Sequence, residues 1–295
     1  MSKFKFVTTL ASCVVMLSPI VAMATKSPSS NINPITSANS EAGIFFAETQ
    51  SNYSENIVSP YGSDVENGMM PGFGVKLSDN FDLLGINNLY ISFNYRHTSG
   101  QTQYEDGINY ISAGHVTDNI GIKLGKTFFL NSAMAVTPYV FGGYRSWHRT
   151  VPGGVANPET YTNWNIGAGG KFQWAITRHM VLSANGGIGE QVGGNINANT
   201  QMLYEDTNGM LFPSSLDTSL ASRPYYTLGV GADYRVTNHL HLFANAQYTD
   251  LMYGGSSLHK YLGTGYYTGY YATLREPSSQ TSNLGIDMGV AYSWN

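Results

Sequence analysis

Leu284-Gly-Ile-Asp-Met-Gly-Val-Ala-Tyr-Ser-Trp294 closes the chain, followed by Asn295. Leu284, Ile286, Met288, Val290, Tyr292 and Trp294 are apolar, and Gly285, Asp287, Gly289, Ala291 and Ser293 between them are small or polar. Alternation at period two gives one strand a greasy face and a small-polar face. A membrane-spanning barrel needs such strands, with lipid outside and a packed polar lumen inside. The competing reading is an edge strand of a soluble sandwich, and the rest of the chain has to separate the two.

Upstream, nine further strand-like segments are predicted at 43–53, 68–80, 88–99, 112–128, 133–149, 161–176, 180–192, 224–236 and 240–254, with the last strand over 282–294. Gaps after even-numbered strands are short: Phe81 to Asn87, Leu130 to Ser132, Thr177 to His179 and Thr237 to His239. Gaps after odd-numbered strands are long, Gly193 to Arg223 and Gly255 to Thr281 most of all. Strict alternation of this kind fits short periplasmic turns and long outer loops, which a soluble sandwich has no reason to segregate. The reading is therefore an all-β, antiparallel up-and-down transmembrane barrel of about ten strands, with eight as the alternative.

A hairpin-length repeat supports it. Gly74-Val-Lys-Leu77, Gly121-Ile-Lys-Leu124, Gly169-Gly-Lys-Phe172, Gly231-Ala-Asp-Tyr234 and Gly289-Val-Ala-Tyr292 each precede a turn or the chain end. Glycine and the residue two on share the lumen face, where glycine relieves crowding. The sixth strand sets Trp164, Ile166, Phe172 and Trp174 against Asn165, Gly167, Lys171 and Gln173; the eighth sets Tyr226, Leu228 and Val230 against Thr227, Gly229 and Asp233. Trp174, Tyr234, Tyr292 and Trp294 are expected to form a periplasmic girdle, and Trp147, Trp164, Tyr226 and Tyr253 an outer one.

Composition agrees. Among 295 residues there are 33 Gly and 21 Tyr but only 12% charged residues, and mean hydropathy is −0.17, as expected when alternation averages the apolar face away. Met1 to Ala24 reads as a cleaved secretory signal, with Lys3 and Lys5 before an apolar run and Ala22-Met-Ala24 at the cleavage spacing. Residues 25–42, rich in Ser, Asn and Pro, read as a flexible periplasmic segment, and 43–295 as the barrel. Cys13 is the single cysteine, so the mature chain has no disulfide or thiolate site. The net charge of −4 argues against nucleic acid as a partner.

Thr137-Pro-Tyr-Val-Phe-Gly-Gly-Tyr144, Gly167-Ala-Gly-Gly-Lys-Phe172 and the aromatic last strand resemble the outer-membrane β-barrel family of Gram-negative bacteria, the OmpA-like and opacity-type group. The resemblance covers about Gly43 to Trp294 and implies an outer-membrane protein, in contact with lipid and lipopolysaccharide, inserted by the barrel assembly machinery through its C-terminal strand. Asn295 leaves the aromatic penultimate, which departs from the family's terminal signal.

The register assigns Glu48, Lys76, Arg96, Lys123, Arg145, Lys171, Asp233, Arg235 and Asp287 to the lumen. In a barrel this narrow they read as a plug of paired groups, or else as a narrow pore with cationic excess. His179 and His239 are placed in periplasmic turns, His97, His115 and His148 near the outer rim, and no metal site or cofactor is expected. Tyr261, Tyr266, Tyr267, Tyr270 and Tyr271 in the longest loop suit an adaptable binding surface for a host or surface ligand. The expected function is non-enzymatic: display of loops for surface interaction, adhesion or envelope integrity. A small channel is the alternative. A hydrolase of omptin or lipid A deacylase type comes third, with rim candidates Glu105, Asp106, His115, His148, Asp250 and His259.

Overall fold

The computed structural model describes residues 33–295 apart from 56–62, 108, 152–157, 200–204, 207–208, 211–214 and 264–267. Ten long strands form the wall: β1 Glu41–Glu55, β2 Val65–Leu83, β3 Ile86–Glu105, β4 Tyr110–Lys126, β5 Met134–Thr150, β6 Glu159–Ala175, β7 Met180–Asn199, β8 Arg223–Arg235, β9 Leu240–Tyr253 and β10 Ser279–Ser293. Each pairs antiparallel with the next, and β10 returns to β1 with Ser293 opposite Glu41 and Ser279 opposite Glu55. Closure leaves no wall strand with an unpaired edge, which is the condition for crossing lipid with strands. The count is the ten of the gap pattern, not the eight of the alternative.

Several strands run past their predicted outer ends, β3 to Glu105 rather than Ser99 and β7 to Asn199 rather than Val192. The apolar outward face is shorter than the strands. It covers about nine residues, from Tyr234 to Tyr226 on β8 and from Tyr292 to Leu284 on β10, the length a tilted strand needs to cross hydrocarbon. Ile166, Leu228 and Val290 are exposed on it, as the register requires. Above it the outward residues turn polar, as at His97, Asp118, Glu190 and Asp250, so the wall rises beyond the band.

Three expectations are corrected here. Glu48 faces outward, opposite Pro71 and Ile286, just above the exposed Ile44 and Phe46. Consecutive Ile44-Phe-Phe-Ala47 gives β1 no readable phase, and only pairing fixes it. Trp147 and Tyr253 do not join the outer girdle: both point into the bore and are buried, whereas Trp164 and Tyr226 are exposed outside. The segment read as a flexible lead-in ends in a helix, α1 Pro34–Asn39, whose Ile35, Ser37 and Asn39 are buried in the periplasmic mouth. Asn33 caps it by accepting from the Ile35 and Thr36 amides at 2.9 and 3.3 Å, and Pro34 at the first position needs no donor.

Two glycines are required by geometry. At Gly289 an added Cβ would stand 2.1 Å from the Ile44 carbonyl oxygen and 2.7 Å from the Phe243 ring, so an aromatic fills the space the glycine leaves. Gly193, at φ +60°, makes a bulge that shifts the β6–β7 register between Thr162 and Trp164. Past it the lumen face of β7 passes from odd positions such as Gln191 to even ones such as Ile196.

Candidate functional site

The bore is organised in three levels. At the level of the chain ends α1 is bonded to the wall by amides and hydroxyls together with Lys171 and His241. Asn39 Nδ2 donates to Gln173 Oε1 at 2.9 Å, Gln173 Nε2 returns a bond to Asn39 Oδ1 at 3.0 Å, and Lys171 Nζ donates to the same oxygen at 2.8 Å. Ser37 Oγ lies 3.2 Å from His241 Nε2 and 3.0 Å from Ser293 Oγ. Asp233 can only accept, so His241 donates through Nδ1 to Asp233 Oδ1 at 2.7 Å. Glu41 pairs with Lys76. Glu41, Asp233 and His241 present one ligand atom each within 4.8 Å, a grouping that sequence spacing missed because it joins β1, β8 and β9. Lys76 and the His241–Asp233 bond already engage it.

The middle level holds the predicted lumen cations. Lys76, Arg96, Lys123, Arg145 and Lys171 all line one cavity with Asp233 and Asp287, and Arg96 pairs with Asp287 across the bore. Arg235 lies below, buried at the periplasmic lip with Nη2 donating to the Arg178 carbonyl at 2.6 Å.

The outer level, above the apolar band, is a layer of rings and carboxylates. Tyr53, Trp147, Tyr161 and Tyr253 come from β1, β5, β6 and β9 and meet across the bore, Trp147 stacked on Tyr161 at 4.8 Å and Tyr161 against Tyr253 at 5.2 Å. Arg149 bonds Glu66, donates through Nη1 to Glu159 Oε2 at 2.8 Å and lies 3.9 Å from Glu55. The Trp147 indole N–H donates to His115 Nδ1 at 2.8 Å, which fixes the proton of His115 on Nε2, facing Glu66. Burial raises the Glu66 carboxyl, but the His115 bond and the Arg149 charge outweigh it and hold the pKa at about 2. Glu55 goes the other way: burial lifts it to about 7 against the pull of Arg149. Glu276, from the segment before β10, accepts the Tyr161 hydroxyl at 2.7 Å and is raised well above the carboxylate range by burial and then by Glu159 and Glu55.

Glu55, Glu66, Arg149, Glu159 and Glu276 were not picked out in the sequence. Continuing the lumen alternation of β2 and β5 outward would have placed Glu66 and Arg149 inside. The histidines divide. His179 and His239 sit in turns as expected, each with Nδ1 on the carbonyl of the neighbouring strand's end, Arg235 at 3.1 Å and Ser293 at 2.9 Å. His115 and His241 are buried in the bore rather than solvated. Of the rim candidates for hydrolysis, His148 contacts Thr160, Asp250 accepts from Gln280, and His259 lies 2.6 Å from Thr218. Of the loop tyrosines, Tyr261 packs on the outer ring layer, and Tyr270 and Tyr271 are exposed, with Lys260 Nζ 3.8 Å over the Tyr271 ring. Tyr266 and Tyr267 lie outside the described residues.

No family model and no curated protein matches the chain. Among solved structures, the outer membrane protease OmpT from Escherichia coli aligns over 88% of this chain and 98% of its own, at TM-score 0.53 and 11% identity. The chain has the fold of an outer-membrane β-barrel. Weaker similarity extends to Ail, the attachment invasion locus protein of Yersinia pestis, over 85% of this chain and 99% of that one at TM-score 0.31 and 13% identity. The translocator domain of the autotransporter NalP from Neisseria meningitidis matches over 95% and 96% at TM-score 0.34 and 10% identity.

Proposed function

We propose that this protein is an integral outer-membrane barrel that works by displaying its outer ends, in surface interaction, adhesion or envelope integrity, and neither conducts nor catalyses. One observation carries the reading: buried side chains occupy the bore at two levels, those of α1 below and the ring and carboxylate layer above, while the wall continues past the apolar band and bears the extra pairs Ser215–Leu220 and His259–Leu262 with Tyr271–Leu274. A porin-like role would need an open water column. Hydrolysis would need its acid–base pair within reach of substrate, and the His115–Glu66 pair is sealed at 2% and 0% side-chain exposure. The leader Met1 to Ala24 is removed on export, Trp294 near the chain end addresses the barrel assembly machinery, and lipopolysaccharide surrounds the band. The Tyr261, Tyr270 and Tyr271 surface would take the partner.

The test is to shorten 257–275 in the protein expressed at the surface of a Gram-negative host. Heat-modifiable migration should persist while attachment to host cells or matrix falls to the background of cells lacking the protein. Unchanged attachment would remove the loop-display reading. Stable porin-sized conductance of the purified protein in planar bilayers would replace it with the channel.

A further inference from the structure

Between α1 and the outer ring layer the bore holds a cavity of about 320 Å³ whose lining includes five cations, Lys76, Arg96, Lys123, Arg145 and Lys171, and three carboxylates, Glu41, Asp233 and Asp287. Each carboxylate bonds one partner, Glu41 to Lys76, Asp287 to Arg96 and Asp233 to His241, while Glu41 Oε2, Asp233 Oδ2 and Asp287 Oδ1 accept no hydrogen bond from the described residues. Among the described residues, no carboxylate comes within ion-pair distance of Lys123, Arg145 or Lys171. Lys171 has the neutral Asn39 oxygen and the Tyr90 ring at 5.1 Å, and Lys123 has the Tyr139 ring at 4.9 Å. Arg145 is 4% exposed, its Nε has no hydrogen-bond partner, and the Trp147 ring lies 5.9 Å away.

A filled plug of mutually paired groups would not leave this excess, because burying a cation without a counter-charge is strongly unfavourable. Water alone hydrates such groups but does not neutralise them. A planar guanidinium with free donors and two ammonium groups is the donor set that oxyanions bind. We infer that the chamber is a binding site for small oxyanions of the phosphate or sulfate class, with Arg145 at its outer end and Lys123 and Lys171 toward the plug. The inference does not depend on what the loops bind.

The test uses the full chain refolded in a maltoside detergent free of phosphate, so that no lipid headgroup can supply the ligand. Inorganic phosphate, present during refolding so that it reaches the chamber before α1 and the outer layer close over it, should raise the thermal unfolding midpoint progressively. Sodium chloride at matched ionic strength should not. Arg145→Gln and Lys123→Gln should each weaken the phosphate dependence at least tenfold in concentration, whereas Lys260→Gln, on the outer loop, should leave it unchanged. Should either lumen variant fail to refold, the wild-type protein still decides the matter: phosphate carried through gel filtration should appear as a bound, broadened ³¹P resonance. Equal shifts with phosphate and chloride, or no retained phosphate, would overturn the site. Protection by lipopolysaccharide but not by inorganic phosphate would place the effect on the outer surface and would equally overturn it.

Discussion

Arg149→Met tests the outer layer most directly. Arg149 is 1% exposed at its side chain and, among the described residues, is the guanidinium that Glu66, Glu159 and Glu55 share. Met keeps most of the stem volume, so the loss is mainly electrostatic: removing one partner of a buried ion pair costs about 3–5 kcal/mol. The Tyr53 and Tyr104 rings, 5.1 and 5.5 Å from the guanidinium carbon, would lose a cation–π contribution of roughly 1 kcal/mol more. At pH 7.5 urea titration followed by circular dichroism in detergent should therefore show a destabilisation of about 4–6 kcal/mol. The deficit should shrink toward pH 4. Without Arg149 the carboxyl of Glu66 keeps its His115 and Thr102 partners but loses one of the charges that oppose burial, so it rises from about 2 and protonates more readily as pH falls, which lessens the stranded charge. Adding Glu66→Gln to Arg149→Met should recover part of the loss at pH 7.5. A deficit below about 1 kcal/mol at pH 7.5, or one equal at both pH values, would refute the assignment of Arg149 as the charge that holds this layer together.

The mouth itself should loosen with rising pH. Glu55 is raised in the fold from 4.5 to about 7, so its stabilising contribution is complete below pH 4.5 and lost as pH rises through about 7; hydrogen exchange around 276–283, corrected for intrinsic rates, should be faster at pH 8 than at pH 5. On the wall, Ile166→Arg, Leu228→Arg or Val290→Arg should each cost on the order of 2–4 kcal/mol of folding into liposomes near the midplane, and Asn165→Arg and Thr227→Arg distinctly less; equal costs on both faces would reject the register. Gly289→Val should destabilise by about 1–3 kcal/mol through its clash with Phe243 and the Ile44 carbonyl, and pairing it with Phe243→Ala should return part of that in the same titration. Deleting 33–39 should open the periplasmic end without unfolding the wall, giving faster dye or phosphate entry into the refolded barrel.

How far the sequence carried depends on what each residue answers to. β10 was legible because its alternation is unbroken from Leu284 to Trp294, and one face answers to lipid while the other answers to the bore. β1 was legible as a strand but not in phase, since Phe45 and Phe46 are both large and only the pairing with Gly74 and Gly289 turns Phe45 inward. The helix α1 is too short for a 3.6-residue period to show, although Asn33-Pro34 carried a cap signature that could have been read. Partner choice inside the bore was not legible at all. Arg149 meets Glu66 from 83 positions away, and Tyr161 meets Glu276 from 115, because closure and strand stagger decide which inward residues share a level.

The same geometry separates what can vary from what cannot. Tyr53, Trp147, Tyr161, Tyr253, Arg149, Glu66 and Glu159 all belong to wall strands, so the rings and charges of the outer layer come mostly from the barrel, with Leu216, Leu220 and Tyr261 packed on them from the segments above. Glu276 also comes from outside the wall, held by the Tyr161 hydroxyl at 2.7 Å and by its amide on Ser256 Oγ at 2.9 Å. Even there Tyr161 keeps a second acceptor, Glu159 Oε2 at 3.1 Å, so losing Glu276 leaves no phenol unpaired. Loop residues that do not pack on this layer, such as the exposed Tyr270 and Tyr271, can then change in length and composition at little cost to the bore, which is the freedom a displayed binding surface requires. A channel whose gate was built from those loops would lack that freedom.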